Sequence, residues 1–197
     1  MKIYLVRHGE TTSDVEDRYG GDYEDHLTEK GRRQSEELAS KLKGKGIKVI
    51  YYSPRIRAAE TAEIVNNVLD VNLAAVEDLR ERNNYGVLTG MTREEAREKY
   101  PEEVRKIETI WMHHGVKGSE DYEPFKKRVL AAFEEIVSKG KPDTIAVVSH
   151  GGPISCIVRE VLKLGDFEKM GDCAVIELEA DEGEIRLVKM ENASLKK

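Results

Sequence analysis

Three side chains in this sequence stand where chemistry is most easily built. His8 follows the apolar run Ile3-Tyr4-Leu5-Val6 and Arg7, and His150 follows Thr144-Ile145-Ala146-Val147-Val148 and Ser149; each opens directly into glycine. One histidine at such a point is usually a packing or surface residue, but two leaving apolar strands in the same way are harder to dismiss. Arg57 is the third. Ser53-Pro54 offers an N-cap followed by proline at the first helical position, which puts Arg57 in the first turn of a helix. A cation there opposes the helix dipole and costs from a few tenths to about 1 kcal/mol, and a bound anion reverses that sign. Helix N-termini already favour phosphate, and an arginine fork adds paired hydrogen bonds to its oxygens. Two imidazoles and a guanidinium around a phosphate-like anion is therefore the chemistry to test. Arg55, two residues from Arg57, reads as a solvated bystander. Gly9, Gly151 and Gly152 would let a ligand come close to backbone.

The elements that must position these groups are legible as alternating periods. The runs at 2–6 and 144–148 look like strands buried on both faces of a parallel sheet, VIYY at 49–52 is a third, and NLAAV at 72–76 is a weaker fourth. Thr28 caps a helix carrying Leu38, Ala39 and Leu42, and Ala58, Thr61, Ala62, Val65, Val68 and Leu69 form one face of the helix after Pro54. Gly152-Pro153 repeats the start signal ahead of Ile154, Ile157 and Val158. This alternation predicts a doubly wound α/β sheet, mostly parallel and flanked by helices. Such sheets bind ligands beyond the carboxyl ends of their strands, where successive connections diverge, and both histidines fall at such ends. The stretch from about 79 to 141 shows no convincing strand and predicts an inserted helical cap, with helices near 92–100, 101–113 and 122–139. CAVIELEADEGEIRLVKM predicts a closing antiparallel hairpin turned at Asp181-Glu182-Gly183, and ENASLKK a frayed tail.

Composition narrows the partners. A chain of 197 residues supports one well-cored domain, and 32 Lys and Arg against 38 Asp and Glu leave no positive field to draw nucleic acid or anionic lipid. Anion binding must then be local, and the partner expected is a small phosphorylated metabolite. No apolar stretch reaches the roughly 20 residues of a membrane span, and the start lacks the pattern of a signal peptide; the expected location is the cytoplasm. Cys156 and Cys173 have neither a CxxC pattern nor histidine at metal spacing, so they read as small residues in a reducing compartment. Adjacent helical histidines such as His113-His114 point apart and make a poor metal pair. An apolar edge strand near 185–188 could join a second copy as a homodimer.

RHGET at 7–11, LTEKG at 27–31, SPRIRAAETA at 53–62, ERNNYGVLTG at 81–90 and VVSHGG at 147–152 together resemble the histidine phosphatase superfamily, the phosphoglycerate mutase-like family, in order and spacing from residue 2 to about 180. The resemblance implies a phosphohistidine enzyme that needs no metal and no cofactor. By the same resemblance His8 is the nucleophile, Arg7, Arg57 and His150 surround the transferring phosphoryl group, and Glu81 is the acid, a role that needs a carboxyl whose pKa is raised by burial or by nearby phosphate. Gly20, Gly21, Tyr85 and Gly151 match pocket-lining positions, and Thr11 braces the loop.

Two departures bear on that reading. Asp14 stands where the family carries an asparagine that donates to phosphate; an ionised carboxylate there repels substrate, so either Asp14 is protonated or turned away to a basic neighbour such as Arg18 while Ser13 supplies the donor, or the phosphate pocket is altered. ERNNYG has one residue more than the family between acid and aromatic, which leaves Glu77 and Asp78 open as alternatives to Glu81. Arg93 sits where the mutases carry a substrate-contacting lysine. Gly21-Asp22 and Trp111-Met112-His113, however, replace the tryptophan and the arginine pair that hold a bisphosphorylated glycerate. The favoured activity is a metal-independent phosphomonoesterase; the alternatives are a mutase primed by 2,3-bisphosphoglycerate and a phospho-ligand binding domain without turnover, for which Asp14 is the motive. Arg97, Lys117 and Trp111 join Arg93 on the expected substrate rim.

Overall fold

The computed structural model describes residues 1–109, 115–139, 142–181 and 183–196. Six strands form one sheet in the order β3-β2-β4-β1-β5-β6. Strands β1 (Lys2–Arg7), β2 (Val49–Tyr52), β3 (Asn72–Ala75) and β4 (Thr144–Ser149) run parallel, while β5 (Phe167–Asp181) and β6 (Glu184–Leu195) add antiparallel at one edge. The central strands are apolar on both sides because both of their faces are covered. Ile3, Leu5, Ile145 and Val147 pack under helices α6 (Tyr122–Ser138) and α7 (Gly151–Glu160). Tyr4, Val6, Ala146 and Val148 pack under α2 (Glu29–Leu42) and α3 (Ile56–Leu69). The doubly wound arrangement expected from the sequence is the one found.

Strands β1 and β4 are paired from Lys2↔Thr144 to Arg7↔Ser149, which brings the residues after them, His8 and His150, side by side. Helix α2 follows β1 on one face and α7 follows β4 on the other, so this pair is the point where the connections diverge and a crevice opens. Between β3 and β4 the described residues form no strand. They form two 3₁₀ turns, Glu77–Leu79 and Gly86–Leu88, then α4 (Arg93–Lys99), α5 (Pro101–Thr109) and α6. Tyr19, Leu88, Ala96, Val104 and Val116 give this region its own small core. Trp111, Met112, His113 and His114, and Glu182 of the expected turn, lie outside the described residues.

Three local expectations need correction. The hairpin is longer than the CAVIEL…LVKM pattern: β5 starts at Phe167, and the presumed tail is strand through Leu195, because Ala193 and Leu195 find apolar partners in the main core. Val188 on this sheet-edge strand is 51% exposed. Ser53 does not cap α3; that helix starts at Ile56 with Arg55 at the cap position. Gly9 spares no room for ligand. Its missing Cβ lets the loop lie on Gly31 of α2, whose carbonyl oxygen a side chain on Gly9 would meet at 2.5 Å.

Candidate active site

Strand β1 ends in Arg7, and the chain leaves the sheet at His8, which is 5% exposed. His8 Nδ1 lies 2.8 Å from the Gly9 carbonyl oxygen. A carbonyl only accepts, so this nitrogen carries the proton and Nε2 keeps its lone pair. That lone pair receives a hydrogen bond from Arg57 Nε at 3.1 Å. Burial, reinforced by the guanidinium groups of Arg57 and Arg7, holds the His8 pKa well below its ordinary value, against a smaller opposing pull from the Gly9 carbonyl. The imidazole is therefore neutral at physiological pH, the form required of a nucleophile.

Arg57 is 3% exposed and spends its other donors on the protein: Nη1 on Tyr23 O at 2.6 Å and Asp25 Oδ1 at 2.7 Å, and Nη2 on Gly21 O at 2.7 Å. The penalty of a cation in the first turn is thus offset by the buried Asp25, which sequence reasoning missed and which no local pattern signals. The α3 N-terminus is occupied as well, since Glu24 Oε2 accepts from Ile56 N at 3.1 Å. Arg55 is no bystander; it is ion-paired to Asp22 and Glu24.

His150, fully buried, meets His8 edge-on with ring centroids 5.2 Å apart. Its Nε2 lies 2.7 Å from Ser53 Oγ, which explains what Ser53 does instead of capping. Its Nδ1 is buried and has no partner among the described residues. Burial first, then the charge of Arg57, pushes the His150 pKa well below its ordinary value too. Glu81 is held at the start of α7, just past His150: Oε2 accepts from Gly152 N at 3.1 Å and Oε1 from Arg82 N at 2.8 Å, fixing the carboxylate against the first turn of that helix, beside Gly151. Gly152 is glycine because a Cβ would fall 2.1 Å from Glu81 Oε1. Glu77 and Asp78, the alternatives, are 67% and 52% exposed and lie beside Arg80 instead.

The remaining predicted residues divide. Arg7 donates to Met170 O at 2.6 Å and lies 3.7 Å from Asp172. Gly21 packs on Tyr85, whose ring meets Tyr19 at 5.1 Å, and Arg93 stacks over Tyr19 at 3.7 Å, forming an arc that leads out from Arg57. Gly20 faces Ser13, whose buried hydroxyl has no partner among the described residues. Thr11 and Asp14 turn to each other: Asp14 Oδ2 accepts from Thr11 N and Thr11 Oγ1, both at 2.9 Å, closing a capping box on the short α1 (Thr12–Val15). Asp14 is therefore turned away, but to Thr11 and not to Arg18, which bonds Glu16 and the Gly90 carbonyl. Two supports were not foreseen: Thr61 Oγ1, which receives Gly9 N at 3.2 Å, and Gln34, which receives Glu10 N at 2.8 Å.

Comparison with known proteins decides the family. The chain matches the histidine phosphatase superfamily (branch 1) over residues 3–193. It belongs to that superfamily. This histidine phosphatase is 33% identical over 158 residues to phosphoserine phosphatase 1 of Hydrogenobacter thermophilus, covering 78% of this chain and 72% of that protein. It is 32% identical over 169 residues to a 2,3-bisphosphoglycerate-dependent phosphoglycerate mutase of Parvibaculum lavamentivorans, covering 82% and 80%. Among solved structures, Bacillus stearothermophilus YhfR superposes with a TM-score of 0.84 at 29% identity over 95% of each chain. The protein is accordingly an enzyme of the phosphatase type. Among the described residues no group of three His, Cys, Asp or Glu could hold a metal, and no helix is long and apolar enough to cross a membrane.

Proposed function

We propose that this histidine phosphatase hydrolyses small phosphate monoesters through a phosphohistidine on His8 Nε2. The observation that carries the reading is the hydrogen bond from His8 Nδ1–H to the Gly9 carbonyl, which leaves the neutral ring's lone pair on the nitrogen facing Arg57. In the first step Nε2 attacks phosphorus, the N–P bond forms, and the bond from phosphorus to the ester oxygen breaks while Glu81 gives that oxygen a proton. In the second, Glu81 takes a proton from water as the water oxygen attacks phosphorus; the N–P bond breaks and inorganic phosphate leaves. Arg57 Nε–H turns from Nε2 to a phosphoryl oxygen, and Arg7 and His150 Nδ1 meet the other equatorial oxygens, the electrostatic work that dominates phosphoryl transfer. Gly20, Gly21, Gly151 and Tyr85 line the pocket, Ser13 supplies a hydroxyl that Asp14 does not, and Arg93 contacts the leaving group.

The capping role of Asp14 removes the observation that favoured binding without turnover. Relatives named phosphoserine phosphatase and phosphoglycerate mutase make phosphoserine and 3-phosphoglycerate the first substrates to compare. With radiolabelled ester, an acid-labile phosphoenzyme is expected that is absent in His8→Ala and indifferent to chelator; label that survives acid or persists in His8→Ala refutes the proposal. Supplying 3-phosphoglycerate with a trace of 2,3-bisphosphoglycerate separates the activities: free phosphate supports the phosphatase, and 2-phosphoglycerate formed in excess of phosphate supports the mutase.

A further inference from the structure

The closing hairpin carries an irregularity that the family motifs do not touch. Strand β5 loses register with β6 between Met170 and Val175, and the residues between lie against the carboxyl end of β1. Cys173 takes a left-handed backbone with φ 51°, and Asn192 across from it does the same with φ 54°, although neither is glycine. A Cβ on Gly171 would meet the Asn192 side chain at 2.3 Å, so the strands close tightly there. Non-glycine residues in this conformation cost energy and persist where surroundings enforce them.

What the bulge gains is contact with the two residues at the end of β1. Cys173 N donates to His8 O at 3.1 Å, and Met170 O accepts from Arg7 Nη1 at 2.6 Å. Asp172 Oδ1 lies 3.7 Å from Arg7 Nη2, and its other oxygen accepts from Gln34 Nε2 at 3.4 Å. The Asp172 carbonyl is tied by Asn192 Nδ2 at 2.8 Å, and Gln34 reaches back through its Oε1 to Glu10 N. Arg7 and Asp172 are each 23% exposed, so the pair is partly shielded from solvent, with Met170 O as the hydrogen-bonded partner and the Asp172 carboxylate as the nearby charge.

We infer that Asp172, presented by the β5 bulge, is a positioning residue that aims the Arg7 guanidinium at the transferring phosphoryl group. The inference rests on Arg7 contacting phosphate, as proposed above. Charge and position make opposite demands on Asp172. A carboxylate that merely sits near the phosphate repels it, so removing its charge tightens anion binding. A carboxylate that aims Arg7 loosens the transition state when removed.

The test is Asp172→Asn in the full chain, followed by steady-state kinetics on an alkyl phosphate and by inhibition with vanadate, which mimics the transferring group. Expected are a loss of about tenfold in kcat with a smaller change in KM, since small misplacements of a catalytic group cost this order, and weaker vanadate binding. Asp172→Glu recovers part of the loss, and Glu191→Gln on the same hairpin, whose carboxylate meets Lys189, changes neither. In an Arg7→Ala background Asp172→Asn adds less than about twofold, the non-additivity of two residues acting through one contact. Tighter vanadate binding in Asp172→Asn, or full turnover in that variant while Arg7→Ala is impaired, overturns the positioning role alone. Full turnover in Arg7→Ala overturns the phosphate contact and the positioning role with it.

Discussion

Gly152→Ala isolates the acid without removing it. The new methyl carbon would sit 2.1 Å from Glu81 Oε1 and 3.2 Å from its Cδ, whereas ordinary contact begins at 3.4 Å, so the carboxylate must retreat by more than an ångström. Phe125 Cζ at 3.5 Å blocks the alternative of moving the methyl instead. The retreat stretches the 3.1 Å bond from Gly152 N, a charge-assisted bond worth about 1.5–3 kcal/mol. Gly152 is the second residue of α7, where the helix-interior preference of about 1 kcal/mol for alanine over glycine applies only in part, so the net loss of stability is about 0.5–3 kcal/mol and the melting temperature falls by at most about 10 degrees. Activity suffers far more, because an ångström of misplacement costs about a hundredfold. The loss depends on the leaving group. An alkyl phosphate needs its departing oxygen protonated, so its turnover falls by about a hundredfold. A nitrophenyl phosphate leaves as a stable phenolate, so the first turnover, seen as a burst of nitrophenol, persists while the following hydrolysis slows. An equal loss of the nitrophenol burst and of alkyl ester turnover, or an unchanged alkyl rate, would refute the assignment of Glu81 as the acid.

Other consequences follow from the same geometry. Asp25→Asn leaves Arg57 as an uncompensated buried cation and should cost about 3–5 kcal/mol by chemical denaturation; a loss under about 1 kcal/mol would mean that the carbonyls of Gly21 and Tyr23 suffice. His8 and His150 are buried neutral, with folded pKa values well below the ordinary one, so between those values and about pH 6.5 the unfolded chain binds up to two more protons. Stability is therefore complete above about pH 6.5 and falls as the pH drops through that window, by up to about 2.7 kcal/mol per unit, and His150→Gln should roughly halve the slope. Denaturation curves that coincide at pH 6.5 and 5.5 would contradict this. Burial pushes the thiols of Cys156 and Cys173 up to about 11 and about 12, so few are thiolate at neutral pH, and activity should withstand iodoacetamide at pH 7.5; rapid inactivation would show otherwise.

How much of this was legible in the sequence differs residue by residue. Thr28, with the apolar positions behind it, marked α2 because a cap and a helical period are local signals. The strand character of the tail beyond Met190 was not legible because its pairing depends on Phe167, Lys169 and Met170, 23 to 28 residues earlier in the chain, and on no pattern of its own. Ser53 carries the sequence mark of a helix cap, yet the buried Nε2 of His150, 97 residues away, captures its hydroxyl. Asp14 was read through the family's asparagine; its side chain instead completes a box with Thr11 three residues before it, a local competition that the motif does not reveal.

Composition and periodicity by themselves determined the apolar strands, the helices between them, and the exit of two histidines and one arginine at points where a parallel sheet opens. These depend on residues within a turn or a pleat of one another, and such short-range preferences are written in order along the chain. Tertiary structure alone decided that Asp25 neutralises Arg57, that Arg57 Nε faces the His8 lone pair, and that the β5 bulge reaches Arg7. Each of those contacts depends on direction and on a distance of about 3 Å, which only the packed sheet and its two helical layers can fix.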